Sequence, residues 1–263
     1  MLELEHGFRI VDVHVELEPA ETKRPRGIGG PEQIEREMRQ AGIVEALAFA
    51  GDRGEEYLKA NNAVARMAVE RPMQALARIN GVRDPGQSAS ARLRNVTRRR
   101  GDHHTSPEDI EQYGYEDRFV GFMIDPASDG LPEEAVLERL EDVGLPVLTY
   151  GGREFPPESI EETLLQYDFP LVVSHFGGYP LAKSLMAEAI DMLERHDECF
   201  LDTSFVRLRD PLERAIMEHP DRVLFGSGAP AAHPSVAVME ILTLDVPEDA
   251  MRKVFSKNAT RLL

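Results

Sequence analysis

Eight apolar runs of strand length recur along this chain, each followed by a longer stretch of helical periodicity. FRIVDVHV (8–15), IVEALAFA (43–50) and MQALARIN (73–80) are the first three runs. FVGFMID (119–125), PVLTYG (146–151), LVVSHFG (171–177), CFLDTS (199–204) and VLFGSG (223–228) complete them. Most are continuously apolar, as parallel strands buried on both faces must be. Between them, 29–42, 55–70, 131–143, 156–166, 180–195, 210–219 and 233–243 repeat apolar residues every three to four positions. Pro31 near a first helical turn and Gly42 at a helix end are ordinary start and stop signals. Eight β/α units within 263 residues predict a single (β/α)8 TIM-type barrel. A doubly wound open sheet is the rival. It commonly uses fewer strands, and the sequence carries no GxGxxG or Walker loop to support a nucleotide-binding version.

One domain over 1–263 is therefore expected. Segment 81–118 is too long for a simple connection and reads as an insertion, with a helix near 90–99 and a lid-like role. The closing PEDAMRKVFSKNATRLL predicts one or two short helices after the eighth unit.

Charge narrows the partners. The formal net charge is −17, and only Lys23, Lys59, Lys183, Lys253 and Lys257 are lysines. This composition resembles the acidic surfaces of salt-loving archaea. It favours solubility and argues against nucleic acid, which needs a basic stripe. The one dense basic cluster, Arg98-Arg99-Arg100, falls in a predicted loop. No apolar run approaches the roughly 18 residues of a membrane span. The N-terminus lacks a secretory pattern, and the single cysteine, Cys199, excludes an internal disulfide or a thiolate zinc site. A cytoplasmic protein acting on a small molecule is the expectation, with homo-oligomerisation left open.

Functional residues of a barrel lie at the carboxyl ends of its strands. Those ends read Asp12-Val-His14-Val-Glu16, Asp125, Tyr150-Gly151-Gly152-Arg153, Ser174-His175, Asp202-Thr203 and Ser227-Gly228. A spacing of two puts Asp12, His14 and Glu16 on one face of a regular strand. A histidine and a carboxylate two apart can share one ion. His103-His104 and His233 read as surface or helix-start residues, Cys199 as core, and Asp12 as a brace for its strand.

VDVHVEL, GLPVLTYGG, LVVSHFGG, CFLDTS, VLFGSGAP and SKNATRLL, in this order, resemble the amidohydrolase superfamily. The closest likeness is to its amidohydrolase-related, aminocarboxymuconate-semialdehyde-decarboxylase-like branch. The resemblance implies a barrel that binds a divalent metal through a His-x-His pair on strand one and single histidines on strands five and six. An aspartate on strand eight would manage the proton of a metal-activated water. This chain keeps His14 and His175, but carries Glu16, Tyr150 and Gly228 at the other positions. The expected metal set is thus His14, Glu16 and His175. His175 and Tyr150 are the catalytic candidates, and Asp125, Arg153 and Asp202 are expected at the substrate. Zinc is the first expectation for the ion and iron or manganese the next, with none if the altered site is dead. The implied function is a metal-dependent hydrolase, or a related lyase. The alternative is an inactive barrel that binds a ligand or a partner.

Overall fold

The computed structural model describes residues 5–18, 30–51, 57–86, 88–97 and 99–263. Among them, eight parallel strands lie side by side in chain order, β1 to β8. These are β1 (Ile10–Leu17), β2 (Ile43–Ala50), β3 (Met73–Ile79), β4 (Phe119–Ile124), β5 (Val147–Gly152), β6 (Leu171–Tyr179), β7 (Cys199–Asp202) and β8 (Val223–Leu224). β8 pairs with β7 only across its two residues. Beyond them the chain turns to β1 and closes the ring. Val13 N–H donates to the Phe225 carbonyl at 2.9 Å, Gly228 N–H to His14 at 3.1 Å, and Glu16 N–H to Ala229 at 2.8 Å. The fold is a single (β/α)8 barrel, and the expected run VLFGSG is half strand and half closing turn.

Helices α1 (Pro31–Ala41), α2 (Tyr57–Val69), α3 (Ala89–Thr97), α4 (Pro107–Gly114), α5 (Pro126–Asp129) and α6 (Glu134–Val143) occupy the first half. The second half holds α7 (Pro157–Thr163), α8 (Lys183–Met192), α9 (Arg209–Glu218), α10 (Pro234–Leu242), α11 (Glu248–Arg252) and α12 (Asn258–Leu262). α1 shows why such segments form. Pro31 opens it, Ile34, Met38 and Ala41 make the buried stripe, and Gly42 ends it with φ +72°. Segment 81–118 holds α3 and α4. A capping box between Ser106 and Asp109 starts α4, and α4 packs on α6.

Two apolar layers follow from the period of two along the strands. Val11, Val13, Leu47, Leu76, Met123, Leu148, Val172, Phe200 and Leu224 fill the barrel interior. A larger layer, including Val15, Ile79, Ile124, Val173 and Leu201, sits between strands and helices. Each fully buried aliphatic side chain contributes about 1.5–3 kcal/mol. No helix is long and apolar enough to cross a membrane, among the described residues.

Candidate active site

The inward period continues past the apolar layer and sets the floor of the barrel mouth. Two residues beyond Leu76, Met123, Leu148, Val172, Phe200 and Leu224 stand Arg78, Asp125, Tyr150, Ser174, Asp202 and Gly226. Two places break the period. Register shifts between Asp12 and Val15 on β1, so that after inward Val11 and Val13 it is His14 and Glu16 that line the cavity. Asp12, expected on the same face, is instead turned from the cavity. It accepts from Ser227 N–H at 2.9 Å and His14 N–H at 3.1 Å, bracing β1 against the closing turn. On β6, His175 (φ +60°), Phe176 (φ +50°) and Gly177 (φ +61°) are left-handed. This turn brings His175 into the cavity although Ser174 holds the inward position.

Asp202 is the centre of the buried network. It accepts from His14 Nδ1 at 2.9 Å, Ser174 Oγ at 2.7 Å and Ser204 N–H at 2.8 Å, and from the Ser204 hydroxyl. The His175 backbone N–H adds a weaker bond at 3.3 Å. Ring nitrogen Nδ1 of His175 lies 3.1 Å from the Ser204 carbonyl and 2.8 Å from its hydroxyl. A ligand atom from each of His14, His175 and Asp202 falls within 4.8 Å of the others. Gly226 leaves room for this group, since a side chain there would stand 3.0 Å from His14 Cβ and 3.1 Å from Asp202 Cγ.

Electrostatics divide the two histidines. Burial acts to lower the His14 pKa, but the Asp202 charge and hydrogen bond outweigh it and raise it above the ordinary value. Burial likewise opposes ionisation of Asp202, yet the His14 charge and its hydrogen bonds hold it well below the usual carboxylate range. His175 is pushed down to about 4, by burial first and then by the His14 charge. The two shifts together favour charge on the hydrogen-bonded His14–Asp202 pair and disfavour it on His175.

Glu16 lies outside the three-residue group. Its Oε1 accepts from the Tyr150 hydroxyl at 2.5 Å. The Tyr150 ring stacks on His14 with centroids 5.4 Å apart and planes 4° from parallel. Burial, then the Glu16 charge, raises the Tyr150 pKa well above ordinary. Asp125 caps α5 through Ser128 N–H at 3.2 Å and takes Arg78 Nη2 at 3.1 Å. Arg78 also donates to Asp129 at 2.6 Å and to the Ala50 carbonyl at 2.9 Å. The sequence reading passed over Arg78, whose one signal was a charge at an inward position.

Above this floor opens a cavity of about 520 Å³. It is lined by His14, Glu16, Asp125, Tyr150 and His175 below and by Arg153, Tyr179 and Phe205 toward the mouth. Arg153 is exposed on the rim. Asp202, expected at the substrate, lies beneath the histidines and is fully buried. Segment 81–118 contributes no lining residue among those described. His103 and His104 lie against each other, rings 3.9 Å apart, and His233 starts α10. Cys199 is buried core, its thiol pushed up to about 12 by burial.

Residues 11–263 match the family model described as amidohydrolase. This chain belongs to the amidohydrolase family. Solved structures share the fold of this chain. An uncharacterized TIM-barrel protein from Bordetella bronchiseptica is 21% identical, with a TM-score of 0.68 over 97% of this chain and 98% of that one. A dihydroxybenzoic acid decarboxylase from Polaromonas, bound to manganese and the inhibitor 2-nitroresorcinol, is 15% identical, with a TM-score of 0.67 over 97% of each chain. A structure named as a probable 2-pyrone-4,6-dicarboxylic acid hydrolase from Acinetobacter baumannii, with citric acid bound, is 14% identical. Its TM-score is 0.64, over 97% of this chain and 99% of that one. No curated protein matches in sequence.

Proposed function

We propose that this amidohydrolase is a divalent-metal-dependent hydrolase or lyase acting on a small molecule with a carboxylate, amide or lactone group. The observation that carries the reading is the convergence of His14, His175 and Asp202 within 4.8 Å at the floor of a cavity. Two imidazoles and a carboxylate are a sound ligand set for zinc, iron or manganese. The His14–Asp202 separation of 2.9 Å suits neighbouring ligands of one ion once the proton between them is given up, and neutral His175 has a lone pair to offer. The residues therefore fit the metal that the family implies, with His14, His175 and Asp202 as its holders. Manganese in the similar decarboxylase makes it an equal candidate with zinc.

When bound, such an ion polarises a carbonyl or carboxylate oxygen. The rest falls to the protein. Ser174, Ser204 and the His175 amide orient Asp202. The left-handed turn at His175 fixes the ring at the cavity floor. The Tyr150 hydroxyl, held on Glu16 beside it, is the group able to assist proton transfer at the substrate. Asp125, held by Arg78, shapes the polar side of the cavity, and Arg153 at the rim can meet an anionic group.

A second reading has its own support. Hydroxyls of Ser174 and Ser204 already satisfy His14 and Asp202 without an ion, which suits a barrel that binds a ligand and does no chemistry. Elemental analysis of protein purified in high salt without chelators, beside His14→Ala, decides between them. Near-stoichiometric zinc, iron or manganese that falls in the variant is the expected result. No metal in either, even after reconstitution, would leave the binding protein as the better account.

A further inference from the structure

We propose that Phe205, whose ring stands where a side chain at residue 228 would, sets the specificity of the cavity by packing against a planar unsaturated ring of the ligand. The inference deepens the small-molecule reading above and rests on it for the existence of a ligand.

The starting point is Gly228. Its φ is +72°, and a Cβ placed there would lie 2.6, 2.7 and 3.1 Å from Phe205 Cε2, Cζ and Cδ2. The phenyl ring thus fills the volume of the missing side chain. A side chain at 228 would require the Phe205 ring to move aside. Where the resemblance implies an acid, the cavity wall thus carries an aromatic ring.

Phe205 reaches that position through strained backbone. Its own φ is +56°, a region that bulky residues seldom enter. The turn that enforces it is anchored at both ends. Ser204 N–H is held on Asp202 at 2.8 Å, and Val206 N–H donates to the Thr203 carbonyl at 3.1 Å. Strain kept by a buried network at a cavity wall points to use of what it places there.

What it places is one side of an aromatic wall. The Phe205 ring lies 5.2 Å from His175, tilted by 57°, and 6.3 Å from Tyr179, near perpendicular at 73°. All three line the cavity, and Arg153 is the one lysine or arginine among its described lining residues. A flat ring gains from offset or edge contact with such a wall beyond its buried area. A saturated ring of the same size gains only the area. An anionic group on the same ligand would be met by Arg153.

The test compares benzoate with cyclohexanecarboxylate, which share a carboxylate and differ in the ring, by titration of the purified protein followed by NMR. Wild type is expected to favour benzoate by about fivefold, and Phe205→Leu to bring the two affinities together. A preference that survives in Phe205→Leu, or none in wild type, overturns the proposal. Metal content measured on the same samples separates the two readings. A metal-loaded protein without the preference defeats only the role of Phe205. A metal-free protein that keeps it supports the ring seat and defeats the enzyme. The exclusion itself is checked without ligand by placing Gly228→Ala in wild type and in Phe205→Ala. The loss of Tm from Gly228→Ala is expected to shrink by at least about 3 °C in the second background, and additive losses would show that the two residues do not compete for space.

Discussion

The Tyr150 hydroxyl donates to Glu16 Oε1 across 2.5 Å, tying β5 to β1 at the floor of the cavity. The pair satisfies one partly buried polar side chain with the other. Tyr150→Phe removes the donor and leaves a part-buried carboxylate short of a partner. A loss of about 1–2 kcal/mol is expected from urea unfolding. The companion Glu16→Gln keeps an oxygen acceptor for the phenol and should cost less than Tyr150→Phe. Equal losses would mean that the charge, not the hydrogen bond, matters.

Asp202 supports both the fold and the proposed ion. Asp202→Ala removes, at a fully buried position, the acceptor shared by the Ser174 and Ser204 hydroxyls, the Ser204 N–H and the His14 ring. Breaking a buried pair by removing one partner costs about 3–5 kcal/mol, and a drop of that size in denaturant unfolding is the expectation. Asp202→Asn preserves shape but not charge. It should keep most of the far-UV dichroism while retaining under about a tenth of the wild-type metal on elemental analysis.

Arg78 is the counterpart on the other side of the floor. Its guanidinium is 3% exposed and bridges Asp125, Asp129 and the Ala50 carbonyl. Arg78→Met removes the buried cation that Asp125 and Asp129 share, and about 3–5 kcal/mol of destabilisation follows. Arg78→Lys keeps the charge but cannot span three acceptors. Its unfolding midpoint should fall between those of wild type and Arg78→Met.

One surface cluster gives a pH signature of known sign. Glu161 bonds Arg195 Nε at 2.8 Å and His196 Nε2 at 2.7 Å. The Arg195 hydrogen bond first, then that of His196, lowers its pKa from 4.5 to about 2. A depressed carboxylate stabilises above its unfolded pKa and loses that contribution as pH falls through its folded one. The stability gap between wild type and Glu161→Gln should be full at pH 6 and close progressively below about pH 4.5. Solvent screening keeps it near ~0.5–1 kcal/mol. A gap that widens toward acid, followed by thermal unfolding, would reverse the assignment.

The period of two along each apolar run, and its alternation with helical stretches, determined the barrel, its order and which ends of the strands would carry polar groups. That much is local, because a strand buried on both faces must be apolar throughout and a helix on a barrel must be amphipathic. Asp125 and Tyr150 followed from the same count, extended by two residues past Met123 and Leu148. The count fails where the backbone leaves regular geometry. A register shift on β1 turns Asp12 away from the cavity and His14 toward it, and a left-handed turn on β6 does the same for His175. Neither break is written in the residue types, because each is held by contacts far along the chain: Ser227 on Asp12, and Asp202 and Ser204 on His175. The same holds at Gly228: nothing in the residue types sets Phe205 beside it, and only the folded chain, by bringing the turn after β7 against the turn after β8, does so.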